Sequence, residues 1–218
     1  MSFLDYLEPE ESLNEIIFGL VMMLSFTLAA GLATRTGADG VGTLLFAAIG
    51  ANIAWGIIDA ALSLMGTLFD RRRQVRLLRA LRAAPDEDAA LAKIRNQLEP
   101  TLESVTRTAD REHLYRSILA TLTHGTPPKL GGIKRDDWMA ALAVFCLVAA
   151  SIIPAVLPFL FVGDVWLALR ISNALLIGLL FFTGYRWARY IDVNPWLAGL
   201  GLMTLGLVLV AIAIALGG

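Results

Sequence analysis

The chain has 218 residues, of which 57% are hydrophobic, and a mean hydropathy of +0.67, too apolar for an ordinary soluble domain. Only 17% of residues are charged, and 14 of the 18 Lys and Arg lie between Asp70 and Asp137, so the net charge of −1 conceals a strong asymmetry. One cysteine, Cys146, excludes an intrachain disulfide framework and suits a reducing or membrane-buried setting.

The first residues are acidic and lack the basic start of a signal peptide, so no cleavage is expected. The richness in Ala, Leu and Arg points to a bacterial source. Five apolar runs then reach the roughly 20 residues that a helix needs to cross a bilayer. They cover 16–33, 41–69, 138–162, 165–185 and 195–216. The second is long enough to tilt or to run on into the cytoplasm. The fold class expected is an all-α polytopic membrane protein: an acidic cytoplasmic N-terminus (1–15), helices one and two (16–69), a helical cytoplasmic insert (70–136) and helices three to five (137–218).

Lys and Arg placement sets the orientation, because basic loops stay inside. The insert is basic from Arg71, Arg72 and Arg73 onward, and the connection between spans four and five holds Arg186 and Arg189. Together the inside connections carry 16 Lys and Arg. This places the N-terminus inside, the C-terminus outside and the protein in a bacterial inner membrane.

Within the insert, Leu77, Leu78 and Leu81 alternate with Arg72, Arg76 and Arg79 as on an amphipathic helix over 70–84. Pro85-Asp86 breaks it and starts a second helix over 86–107, which Pro100 should kink or divide. A third covers 110–123, followed by a Gly- and Pro-rich linker over 125–132. The six arginines from Arg71 to Arg82 can bind anionic headgroups or serve only as the topological stop.

Asp59 is the first residue that suggests chemistry. It lies about 16 Å from Asp70 along the helix, at 1.5 Å per residue. An ionised Asp at that depth costs about 2.5–3.5 kcal/mol on insertion scales. Asn52, Asp59 and Ser63 share a helix face, with Gly56 and Ala60 as close-packing positions nearby. The face reads either as a cation or proton site, or as a protonated Asp bonded to another helix. On the first span Glu15 and Met22 share a face. Glu15, at the cytoplasmic mouth, reads as an ion-path residue or as an acid favoured near a helix N-terminus. Met22, with Met23, reads as a thioether ligand or as packing.

Pro154 and Pro158 in the third span free carbonyls that a neighbour or cavity must satisfy, or simply bend the helix. Arg170 is placed either to snorkel to the outer interface or to pair with an acid. In the insert, Glu99 and Glu103 are one turn apart and read as a cation-collecting pair or as a solvated face. His113 and His124 are about 16 Å apart along a helix and cannot be co-ligands. The sequence has no P-loop, HExxH, GxSxG or CxxC motif, and no enzyme is expected. The basic insert lacks the interleaved aromatics of a nucleic-acid surface.

Two spans, a three-helix insert and three more spans resemble the vacuolar iron transporter family. Local stretches carry the same likeness: Ile16 to Gly31 is similar to the family's first helix, Ser151 to Phe159 to its proline-containing third, and Asn194 to Gly217 to its last. Met22-Met23 stand where the family has an Asp-Gly pair, and Asp59 stands where its second helix carries a glutamate, with Trp55 near the methionine. The two prolines are four apart rather than three, and the insert is more basic than the family's Glu- and Met-rich one. The resemblance implies a homodimeric exporter of Fe²⁺ or Mn²⁺ in exchange for protons, with the metal as cargo and no resident cofactor. Asp59 and Met22 would then be ligands, Asn52 and Ser63 neutral donors, Glu15 a path residue, and Glu99 and Glu103 collectors at the cytoplasmic face. The rival expectation is a non-transporting scaffold whose basic insert binds anionic lipid or a cytoplasmic partner.

Overall fold

A computed structural model describes residues 6–34, 41–104, 106–124 and 132–215. Its elements are all helices among these residues: α1 (Pro9–Thr34), α2 (Val41–Arg82), α3 (Glu87–Leu102), α4 (Thr108–His124), α5 (Arg135–Ala150), α6 (Ile152–Phe161), α7 (Val165–Ala188) and α8 (Pro195–Ala215). Apolar runs become helices because hydrocarbon offers the backbone no hydrogen-bond partner. Five stretches are long and apolar enough to cross a membrane: Pro9–Gly31, Leu45–Arg82, Arg135–Phe161, Val165–Ala188 and Pro195–Ala215. The expected linker at 125–132 lies almost wholly outside the described residues.

The third of these stretches is not one regular helix. α5 ends at Ala150 and α6 begins at Ile152. Pro154 has no N–H to give the carbonyl four residues back, Ala150, and its ring crowds that carbonyl. The chain tightens instead, the Ser151 N–H bonding to Val148 O at 3.2 Å. Pro158 is accommodated inside α6.

The chain divides into two compact units, Met1–Leu64 with Arg135–Gly218, and Met65–Lys134. In the first, α1, α5–α6, α7 and α8 pack along one another. The core collects Leu20, Met23 and Leu24 of α1, Ala48 of α2, Ala155 of α6, and Leu176 and Leu180 of α7. Polar bonds tie the spans: Ser172 Oγ donates to Ala155 O at 2.8 Å, and Thr27 Oγ1 to Asn173 Oδ1 at 2.7 Å. α7 and α8 approach closest. A Cβ added at Gly199 would sit 2.9 Å from the Phe181 carbonyl oxygen, and one at Gly184 2.9 Å from that of Ala198. Small residues let helices meet this closely where water supplies no hydrophobic force. Asp164 caps α7 through the Leu167 N–H, and Asp192, at a left-handed φ of 54°, reverses the chain toward α8.

By contrast α2 meets this group at points: Ala48 in the core, Asn52 at Ser151, Trp55 at Phe18 and Gly56 at Phe145. Its other side is apolar and exposed, with Phe46 79% accessible and Ile57 and Leu62 also outward.

In the second unit the end of α2 joins α3 and α4 around Leu81, Ala90, Leu91, Ile94, Tyr115 and Leu119. The sequence read a new helix from residue 70, but α2 runs through Asp70 unbroken to Arg82. Leucines every three or four residues continue the helical period, so nothing breaks it before Pro85. Asp86 caps α3 as expected, accepting the Ala89 N–H at 2.7 Å. α3 stops at Leu102, soon after Pro100, rather than reaching 107. Arg95 and Glu112 pair across α3 and α4, but with side chains 41% and 37% exposed the pair adds at most about 1 kcal/mol.

The two glycine environments give a paired expectation. Gly199→Ala forces its methyl against the Phe181 carbonyl and should cost about 1–3 kcal/mol. Gly201→Ala meets nothing within 4 Å and should be neutral or slightly stabilising, since alanine favours helix. Thermal melts in detergent check this, and coincident melting of the two variants would remove the close α7–α8 approach.

Candidate functional site

α1 and α2 run antiparallel, as two contacts show. The Phe18 and Trp55 rings meet edge to face, 5.9 Å between centroids. Nearly one turn earlier on α1 and one turn later on α2, Glu15 and Asp59 are close enough for their charges to act on each other. The sequence placed both acids but did not bring them together, because helix periodicity fixes faces and not which faces meet. Both are half-buried. Asp59 Oδ2 is sealed from solvent and has no hydrogen-bond partner among the described residues.

Neighbouring contacts set the depth of this pair. Leu7 packs with Ala143 and Val144, and Gly19 lies against Ser151, so α1 and α5–α6 run in the same direction. Glu15, one turn before Gly19, is then level with residue 147. That is nine residues past the exposed Trp138, or about 13 Å at 1.5 Å per residue. A tryptophan of this kind marks a membrane interface. The sequence put Glu15 at the mouth; α1 begins earlier, and Glu10 and Glu11 are the acids of its first turn.

Toward the other end of the span, Asn52 is wholly buried, 0% accessible. Its Nδ2 donates to Ser151 Oγ at 3.2 Å, and Ser151 Oγ donates to Val148 O at 2.6 Å. Asn52 Oδ1 has no partner among the described residues. Ser151 and Gly19 were not singled out in the sequence. The available signal was a serine directly before the proline-containing stretch, opposite a helix with a glycine one turn from an acid.

The remaining candidates are placed as follows. Ser63 follows Asp59 by one turn and is half-buried. Met22 is half-buried and shares a face of α1 with Glu15 and Gly19, whereas Met23 is fully buried in the core as packing. Glu99 and Glu103 close α3 in the second unit. The Glu103 N–H donates to the Glu99 carbonyl at 2.8 Å, and the Glu103 side chain is exposed. No cluster of three or more His, Cys, Asp or Glu occurs among the described residues.

A sequence model of the VIT family matches residues 69–218, well over half the chain. The chain belongs to the VIT family. With its five apolar spans it is an integral membrane protein of a class that transports metal ions, iron and manganese among them, and not of an enzyme class. No curated protein matches it. The family match begins at Phe69, so Glu15, Asn52 and Asp59 lie outside it, and the case for them rests on geometry.

Like charges on neighbouring spans oppose one another, and removing one relieves the other. Glu15→Gln and Asp59→Asn should each melt no lower than wild type in metal-free detergent, and Mn²⁺ should stabilise wild type alone. Lower melting of both variants would instead mark the acids as structural hydrogen-bond partners.

Proposed function

We propose that this protein moves Fe²⁺ or Mn²⁺ out of the cytoplasm in exchange for protons, with Glu15 and Asp59 as the shared binding site. The observation that carries this reading is that two carboxyls on apolar spans lie near enough for their charges to act on each other, one with a buried oxygen that has no partner among the described residues. Intramembrane acids mark ion and proton pathways by default, since their cost must be offset by function. A pair of acids has two ways to relieve its repulsion: take up a divalent cation, or take up protons. The two are mutually exclusive, and that exclusion is what an exchanger requires.

The supporting donors fit the cargo. Met22 offers a soft sulfur on the Glu15 face and Ser63 a neutral oxygen one turn from Asp59, a mixture suited to Fe²⁺ and Mn²⁺, while Asn52 offers its oxygen further along the same face, apart from the acid pair. Glu99 and Glu103 serve as a weak collecting pair on the cytoplasmic side. The basic connections keep the Met65–Lys134 unit and the N-terminus inside a bacterial inner membrane. The protein acts as a homodimer: one acid pair per protomer and an apolar, exposed side of α2 suit a second copy.

The test is Mn²⁺ and Fe²⁺ uptake into proteoliposomes under an imposed pH gradient. Loss of even an outer-shell metal partner costs about 10–100-fold in affinity, so Asp59→Asn should lose about 100-fold or more. Uptake that ignores the pH gradient would remove proton exchange. Normal uptake by Asp59→Asn would remove the acid pair. No uptake by a folded wild type would leave the basic insert as the working part, a scaffold for lipid or partner.

A further inference from the structure

We infer that the Asn52 side-chain carbonyl is a second, uncharged station for the transported cation, about 10 Å beyond the acid pair by helix rise, and that Ser151 positions it. This rests on the metal-transport reading of Glu15 and Asp59.

The hydrogen bonds fix the orientation of the Asn52 amide. The Ser151 hydroxyl commits its one proton to the Val148 carbonyl at 2.6 Å. Its oxygen can then only accept, so it must receive an N–H, and Asn52 Nδ2 supplies it at 3.2 Å. The amide nitrogen therefore faces Ser151, and Oδ1 is turned the other way. That oxygen is buried and has no partner among the described residues. A buried acceptor without a donor forfeits its hydration with nothing in return, and such a group calls for an ion or water to explain it.

The surroundings point to a cation. Asn52 lies on the Asp59 face of α2, seven residues away, so the two unpartnered oxygens follow one another along one side of the helix. Facing Asn52, the third span is interrupted at Ser151, and Pro154 leaves the Ala150 carbonyl without the N–H a regular helix would give it. Interrupted helices with freed carbonyls near the middle of the membrane are where transporters hold ions. Gly19 brings α1 against this point: a Cβ there would lie 2.5 Å from Ser151 Oγ. Three spans therefore close tightly around Asn52. Neutral oxygen suits this stage. Two carboxylates capture the dication, and a weaker ligand beyond them lets it leave.

Purified full-length protein in detergent and in proteoliposomes tests this, with Mn²⁺ as the probe for both equilibrium binding and uptake. Asn52→Leu should bind Mn²⁺ at the acid pair as wild type does and lose about tenfold or more in uptake rate. Asn52→Asp should bind more tightly and turn over more slowly, because a charge now traps the ion. Ser151→Ala should lower the maximal rate while leaving equilibrium affinity unchanged, as expected for a positioning residue. Wild-type uptake by a folded Asn52→Leu overturns the inference, and so does loss of Mn²⁺ binding in that variant, which would make Asn52 part of the acid site. If Asn52→Leu fails to fold, Asn52→Asp decides, and wild-type affinity and rate in it overturn the inference. Failure of the underlying reading is distinct: Asp59→Asn would then keep wild-type binding and uptake.

Discussion

Inside a bilayer there is no water to satisfy a polar group, so each one must find a partner within the protein or remain a liability. That constraint sorts the polar residues of the membrane unit into two sets. Thr27 with Asn173, and Ser172 with the Ala155 carbonyl, are closed pairs that fasten α1 to α7 and α7 to α6. Asp59 Oδ2 and Asn52 Oδ1 on α2 are open, as is Trp187 Nε1 near the end of α7. Closed pairs hold the spans together, and the two open oxygens of α2 follow one side of that helix.

That side of α2 meets the third span at Asn52 and Gly56. Gly19 and Gly56 allow Ser151 and Phe145 to come near α1 and α2. The same device, used at Gly184 and Gly199, joins α7 to α8. Small residues thus serve at two places in one unit: they join α7 to α8 on one side, and they let the third span approach α1 and α2 on the other.

Much of this was legible in the sequence. Five spans follow from hydropathy and length alone, because lipid imposes helices on apolar runs of that size. The face of α2 that carries Asn52, Asp59 and Ser63 follows from a period of 3.6. Pairing does not follow. Glu15 with Asp59, and Asn52 with Ser151, join residues 44 and 99 positions apart, and neither helix carries any mark of its neighbour. The break at Ser151 was half-visible: the prolines announced a distortion, but its position depends on which carbonyl loses its donor, four residues before Pro154. The run of α2 past Asp70 was one of two ways to read the length of the second span, and the charge run at Asp70 suggested a boundary that the helix does not observe. Arginine is a good helix former, and charge alone does not end a helix.

The uneven grip on α2 has a mechanical meaning. α1, α5–α6, α7 and α8 clasp one another along their lengths, while α2 touches them at Ala48, Asn52, Trp55 and Gly56. A rod held at a few spots along one side rolls about its axis more easily than it slides or bends. Glu15 stands on the clasped group and Asp59 on the loosely held rod, so a turn of α2 about its own axis would change the gap between the two carboxyls without repacking the other spans.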